Sequence, residues 1–171
     1  MVTANGLRLP LSDDQISELR RKHPYLPDLS QIASVVRSKG WRDGNVTFLN
    51  RERERGKVAM RDLMKALGIE RVESRDEALE LIAFAHEVFA PEGGFTGTIK
   101  KRPDGAILVT VRDCPVFQRL EDTGWLGVTA CPSWHRRRGW FDALGVDGVD
   151  SVLADKKWGT PACVALLDVR G

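Results

Sequence analysis

The residues of this sequence that offer the most chemistry are its three cysteines. Cys114 and Cys131 each stand directly before a proline, and Cys163 opens an apolar run near the C-terminus. No two of them have the CxxC spacing typical of metal and redox motifs. A proline suits the first turn of a helix, where unsatisfied backbone N–H groups can stabilise a thiolate. Two interpretations follow: the thiols converge on one site, or they are separate, inert core residues.

Converging thiols would allow three kinds of centre. With His135, four residues after Cys131, they could form a tetrahedral Cys3His zinc site. Alone, they could hold an iron–sulfur cluster with one iron open to substrate. Alternatively, Cys114 acts as a nucleophile whose pKa is lowered by a helix N-terminus or by His135, while Asp113 or Glu121 orients the base. The sequence leaves these three possibilities open.

The segment around His135 is rich in arginine and tryptophan. Arg136, Arg137 and Arg138 could bind a carboxylate or phosphate through their forked guanidinium groups, or they could form a solvated helix face. Trp134 and Trp158 could stack on a planar ligand, although packing in the core or at an interface is the plainer interpretation. These five residues are the candidate substrate-binding residues.

Four helices are predicted in the first half of the chain. Three begin with a capping box, in which a polar N-cap residue is followed three positions later by Glu or Gln. The other carries apolar residues at helical spacing and ends at Gly68. In chain order, the predicted helices run from Ser12 to about His23, from Asp28 to Gly40, from Val46 to Leu67 and from Ser74 to Phe89.

Two polar features lie on these helices. Arg51 to Arg55 alternates in charge, which is typical of a solvated face with weak local ion pairs. His86 lies in an otherwise apolar helix, so it is expected to be a core histidine with a satisfied hydrogen bond or, alternatively, to face a pocket.

The second half of the chain, after a change in character near Gly93 and Gly94, mixes strands with short helices. Arg102 to Gly105 has the Pro-Asp-Gly composition of a tight turn between two strands. The predicted strands are Phe95 to Lys101, Ala106 to Arg112, Ser151 to Lys156 and Ala162 to Val169, and the predicted helices are Pro115 to Asp122 and Ser133 to Leu144. Helices followed by antiparallel strands define an α+β fold. We expect the N-terminal helices, residues 1–92, to pack on the small, mainly antiparallel sheet of residues 93–171, with short helices interspersed.

Composition limits the class of protein. The 171 residues fit one domain, and 42% hydrophobic with 29% charged residues is typical of a soluble globular chain. A net charge of +2 gives no bulk argument for nucleic-acid binding. The first residues lack the pattern of a signal peptide, so a cytoplasmic location is expected. In that reducing compartment three cysteines argue against a disulfide framework, and the tryptophans make a homodimer plausible.

Residues 48–163 resemble the L-2-amino-thiazoline-4-carboxylic acid hydrolase-like family. The family's Cys-Pro after a strand matches Arg112-Asp113-Cys114-Pro115, and its second cysteine matches Cys131-Pro132. Its closing turn, Gly-Asp-x-x-Cys, is similar to Gly159-Thr160-Pro161-Ala162-Cys163, with Thr160 in place of the aspartate. Phe48 to Arg53 and Leu63 to Ile69 are similar to the family's paired N-terminal helices. The cysteine layout also resembles that of vinyl-reductase-like sensor domains.

The resemblance implies a small pocket beside the cysteines, with the sheet behind it and the N-terminal helices covering it. The prediction is therefore a small cytoplasmic, hydrolase-like enzyme. Its substrate would be a small anionic molecule containing nitrogen or sulfur, and its cysteine-centred site could hold zinc or an iron–sulfur cluster. The alternative is a non-enzymatic module that uses the same cysteines for metal binding or for redox or ligand sensing. Nucleic-acid binding through the arginines and tryptophans is a third, weaker hypothesis.

Overall fold

The structure is a computed structural model that describes residues 10–90, 96–127 and 129–170. Its helices precede and interrupt a small sheet, as in the α+β fold predicted from the sequence. The elements are α1 (Asp13–Lys22), α2 (Leu29–Lys39), α3 (Trp41–Leu67), α4 (Arg75–Val88), β1 (Thr96–Lys101), β2 (Ile107–Asp113), α5 (Pro115–Asp122), α6 (Pro132–Leu144), β3 (Gly148–Ala154), a one-turn 3-10 helix (Lys156–Trp158) and β4 (Cys163–Val169).

The predicted helix starts are confirmed at the atomic level. At α1 the hydroxyl of Ser12 accepts from the backbone N–H of Gln15, and the Gln15 side chain accepts from Ser12 N–H. Asp28 caps α2, and Ser74 caps α4. These bonds satisfy N–H groups that the first turn of a helix leaves without partners.

Helix α3 begins earlier than the sequence predicted. It starts at Trp41 rather than Val46, directly after Gly40, which ends α2 with a φ of +78°. A glycine adopts this left-handed conformation without a Cβ clash, so the chain turns from α2 into α3 with no further connection. The intervening residues are mostly polar and carry no apolar periodicity, so the extra helical turn could not be predicted from them.

The four strands described form one antiparallel sheet in the order β1-β2-β4-β3. The hairpin between β1 and β2 is confirmed, with Gly105 at a φ of +85° in its turn. Phe95, predicted to open β1, and the predicted change near Gly93 and Gly94 lie outside the described residues. Strand β3 lies earlier than the predicted Ser151 to Lys156, because Asp155 caps the 3-10 turn and takes Lys156 out of the strand.

Two apolar clusters hold these elements together. The larger one joins α1, α3, α4 and α6 to the inner face of the sheet, with Met60, Leu63, Ile82 and Leu167 fully buried. The smaller one lies between α2, α3 and α5 and includes Ile32, Phe48 and Leu120. Within the described residues no helix combines the length and the apolar composition that crossing a membrane requires.

Helices α3 and α6 approach so closely that their backbones touch. A Cβ atom added at Gly56 would lie 2.0 Å from the carbonyl oxygen of Arg136, and one added at Gly139 would lie 2.0 Å from that of Arg53. No side chain fits at such a distance, so glycine is required at both positions. This contact fixes which residues of α3 face α6.

We expect the substitution Gly139→Ala to destabilise the fold by about 3 kcal/mol, the upper end of overpacking costs, because backbone atoms cannot move aside as a side chain can. Gly127→Ala is the matched control, since a Cβ there meets nothing within 4 Å. Urea unfolding followed by circular dichroism measures both variants. Equal stability of the two variants would contradict the close contact.

Candidate functional site

The three cysteines, called here the thiol cluster, lie where helices and strands meet. Cys114 is the N-cap of α5 and Cys131 is the N-cap of α6. Cys163 is the first residue of β4 and pairs with Val111 of β2. Because Cys114 follows the last residue of β2, Cys114 and Cys163 lie at the same end of the sheet.

One sulfur of the thiol cluster, that of Cys163, accepts a hydrogen bond from a backbone N–H group. Lys156 N lies 3.4 Å from the sulfur of Cys163, and that thiol donates to the carboxylate of Asp155 at 3.7 Å. At the two helix N-termini, both of which the structure describes, neither N-cap sulfur makes a capping hydrogen bond. The nearby N–H groups of Val116 and Phe117 act to lower the pKa of Cys114, and those of Ser133 and Trp134 act to lower the pKa of Cys131. Such donors stabilise the charged form of a thiol.

Burial nevertheless dominates the protonation of these thiols. It raises the pKa of Cys114 and of Cys131, and it is the largest of the causes that raise the pKa of Cys163 to about 11. Cys131 in its thiolate form raises the pKa of both other thiols, so the three lie within electrostatic range of one another. At neutral pH all three are therefore protonated, whereas the thiolate is the form that attacks carbon.

The metal sites expected from the sequence are not assembled. In the part of the chain that the structure describes, no three His, Cys, Asp or Glu side chains are close enough together to hold a metal ion. The described residues therefore show neither an assembled Cys3His zinc site nor a site for a cluster held by three thiolates. His135 is placed elsewhere: burial and then Arg138 and Arg53 lower its pKa, while Asp150 raises it. It therefore faces the side of α6 that carries these charges and is not a partner of Cys114.

Two of the three arginines predicted to bind an anion are engaged with carboxylates of the protein itself. Arg136 is buried, forms an ion pair with Glu52 and donates to the carbonyl oxygens of Pro24 and Tyr25. Arg137 is also buried and holds Asp150 through two bonds of 2.9 and 3.0 Å. Both guanidinium groups thus serve the structure rather than an external anion.

The remaining predicted site residues are dispersed. Arg138 and Asp113 are exposed, Trp134 is half-buried, and Trp158 is 63% exposed. No stacking surface between Trp134 and Trp158 appears among the ring contacts of the described residues. Asp113 ends β2 on the surface, so the predicted arrangement of Cys114, His135 and Asp113 as nucleophile, base and orienting acid is not formed.

Glu52 and Tyr25 are important residues that sequence reasoning missed. The expectation of a solvated face from Arg51 to Arg55 is wrong for Glu52, which is 2% exposed and also accepts a hydrogen bond from Arg55. Tyr25 is the chain's one tyrosine. Its hydroxyl lies 3.2 Å from that of Ser133, and burial, followed by the charge of Cys114, raises its pKa. The thiol cluster thus has a neutral phenol beside it.

His86 lies inside the larger apolar cluster. Its ring meets that of Trp140 edge-on at 4.9 Å, and burial lowers its pKa well below the usual value, so it is neutral. The expected hydrogen bond is absent at one nitrogen, because buried Nε2 has no partner among the described residues, and the same holds for Nε1 of Trp140. His86 therefore belongs to the packing of α4 against α6.

Comparison with known proteins assigns no family. No family model matches the chain, and no curated protein matches it. Among solved structures, the crystal structure of an H-NOX protein from S. oneidensis in the Fe(II)NO ligation state is similar, with a TM-score of 0.46 and 11% identity over 92% of this chain and 89% of that one. This likeness is too low to assign a shared fold, and the iron and nitric oxide of that protein are not carried over to this chain.

The buried ion pair predicts a large effect of a small substitution. We expect Glu52→Gln to destabilise the fold by about 3 kcal/mol, because it leaves the buried charge of Arg136 without a counter-charge. Glu54→Gln, two residues along the same helix and exposed, is the matched control and should change stability by less than about 0.5 kcal/mol. Urea unfolding at pH 7 measures both.

The raised thiol pKa values predict slow alkylation. The rate at which iodoacetamide labels Cys163 should rise about tenfold per pH unit up to pH 10, because only the thiolate reacts. In urea, where the chain is unfolded, the rate should level off above about pH 8.5. Mass spectrometry of the labelled peptides measures each cysteine separately. A folded-state rate for Cys163 that levels off near pH 8.5 would contradict the assignment.

Proposed function

We propose that this chain is a non-enzymatic, metal-responsive module whose thiol cluster captures a soft, thiophilic metal ion such as Cu(I). The observation that carries the proposal is the placement of three half-buried, protonated thiols at one junction of helices and sheet. Two of them stand at helix N-termini, and the third accepts from the backbone N–H of Lys156. Protonated thiols are poor nucleophiles. They can still become metal ligands, because a bound cation provides the positive charge that stabilises a thiolate in a poorly solvated site.

The ligand geometry favours a soft monovalent ion over zinc. Zinc requires four protein ligands in a closed structural site, whereas the described residues bring no three ligands into one group. Cu(I) binds stably to two thiolates in a linear arrangement, and soft thiolate ligands prefer it. Cys131 is the central ligand of the proposal. A negative charge on its sulfur would act on both other thiols, and the Arg137 guanidinium partly offsets the effect of burial on its pKa.

A hydrolase would need features that the site does not supply. Nucleophilic cysteine catalysis depends on a base that takes the thiol proton. His135 faces Arg138, Arg53 and Asp150 instead. The carboxylate of Asp155 lies 3.7 Å from the sulfur of Cys163, whose pKa is nevertheless raised. Hydrolase activity therefore stays a prediction that rests on the family resemblance.

The proposal predicts that the reduced protein, kept free of oxygen, withdraws about one Cu(I) per chain from a coloured Cu(I)–bathocuproine complex. Cys131→Ser should abolish this transfer. Ser34→Ala, a substitution at an exposed position of α2, should leave it unchanged. Absorbance of the chelator complex reports the amount transferred. Full transfer to the Cys131→Ser variant, or none to the parent protein, would overturn the proposal.

Metal capture should also depend steeply on pH. Two protonated thiols must each release a proton, so the apparent affinity for Cu(I) should rise about a hundredfold per pH unit while the pH is below both thiol pKa values. The same competition assay at pH 6.5, 7.5 and 8.5 measures the slope, with the chelator's own pH dependence subtracted. A pH-independent affinity would show that the thiols are not the ligands.

A further inference from the structure

One cavity of the structure is lined in part by Arg136 and by no cysteine. It has a volume of about 670 Å³ and lies between the end of α1, the connection to α2, the middle of α3 and Phe89. We call it the α1–α3 pocket. Its volume is within the range of ordinary small-molecule sites.

The wall of the α1–α3 pocket is partly apolar. Ala59 and Phe89 are buried beneath it, while Val58 is 48% exposed although it is a large aliphatic residue. A half-exposed valine facing a cavity offers apolar surface that a ligand can cover. Pro24 extends the same wall from the α1–α2 connection.

The charged side chains around the pocket carry a small positive excess. Four cations line it, and three of them already have carboxylate partners: Lys22 is bonded to Asp62, while Arg55 and Arg136 share Glu52. The fourth is Arg51, which is exposed and whose side chain makes no ion pair or hydrogen bond with the described residues. Glu54 is the carboxylate that lines the pocket itself. Together with the partners Asp62 and Glu52, Glu54 makes three carboxylates for the four cations.

We propose that the α1–α3 pocket binds a small amphipathic monocarboxylate. Its carboxylate lies on the guanidinium of Arg51, and its apolar part covers Val58 and Phe89. An arginine guanidinium binds a carboxylate in a forked, charge-assisted geometry. A single excess positive charge matches a monoanion better than a phosphate monoester or a dicarboxylate, whose second charge would face Glu54.

Polar side chains beside Arg51 define where the carboxylate lies. Thr47 and Asn50, both on α3, line the same cavity, and Asn50 directly precedes Arg51 in the chain. Amide and hydroxyl hydrogens can donate to the second carboxylate oxygen. The polar end of the pocket is thus at the N-terminal side of Arg51 on α3, and the apolar end, at Val58, is about two helical turns further along α3.

Isothermal titration calorimetry with sodium octanoate at low salt tests the proposal. Octanoate should bind the parent protein with about one site per chain, and Arg51→Gln should weaken binding about tenfold, the cost of losing one charge-assisted interaction. Arg61→Gln is the matched control, since Arg61 is an exposed arginine on the same helix that does not line the pocket. Its affinity for octanoate should equal that of the parent protein.

Two further ligands separate recognition of the carboxylate from general apolar binding. Octan-1-ol has the same chain without a charge and should bind at least tenfold more weakly than octanoate. Octyl phosphate should also bind more weakly, because its second negative charge faces Glu54. No octanoate binding, equal binding to Arg51→Gln and the parent, or octan-1-ol binding as tightly as octanoate would each overturn the proposal. Because no cysteine lines the pocket, the Cys131→Ser variant should still bind octanoate, which keeps this test independent of metal capture.

Discussion

The buried ion pair between Arg136 and Glu52 is the interaction on which most of the architecture depends. It forms because Gly56 and Gly139 let the backbones of α3 and α6 touch, which brings the two side chains together inside the protein. Charges buried in this way are stable only when paired and fully hydrogen-bonded. Arg136 meets the second condition in part through the carbonyl oxygens of the α1–α2 connection. One guanidinium therefore fixes α3, α6 and that connection relative to one another.

Both proposed sites rest on this same group. On one side, Arg136 lines the α1–α3 pocket and holds Pro24, which is part of the pocket wall. On the other side, its guanidinium lies 5.6 Å from the centre of the Tyr25 ring, and Tyr25 reaches Ser133 in the first turn of α6, two residues after Cys131. Because breaking this ion pair is energetically unfavourable, it stabilises both the shape of the pocket and the position of the α6 N-terminus.

What the sequence predicts well is what depends on near neighbours in the chain. The helix caps at Ser12, Asp28 and Ser74 and the turn at Gly105 involve residues two to four positions apart, so their patterns are visible in the sequence. Glu52 and Arg136 are separated by 84 positions, and no local pattern distinguishes Glu52 from the exposed Glu54. The alternating charges of α3 predicted a solvated face because the pattern carries no information about which turn of the helix meets α6.

In the candidate site, too, the sequence predicts which residues are present and where they lie in the chain, but not how buried they are in the fold. The sequence correctly placed Cys114 and Cys131 at helix N-termini and Cys163 at the start of a strand, and N-terminal dipoles by themselves favour thiolates. In the folded chain burial opposes that influence and prevails for all three thiols. A thiol whose pKa is raised by folding contributes stability while the pH is below its unfolded pKa, and this contribution is lost as the pH rises through the folded value. The fold is thus built around neutral thiols. Any reaction that needs them as thiolates requires a positive charge from the bound molecule. A metal cation supplies that charge, whereas an anionic substrate of a hydrolase does not.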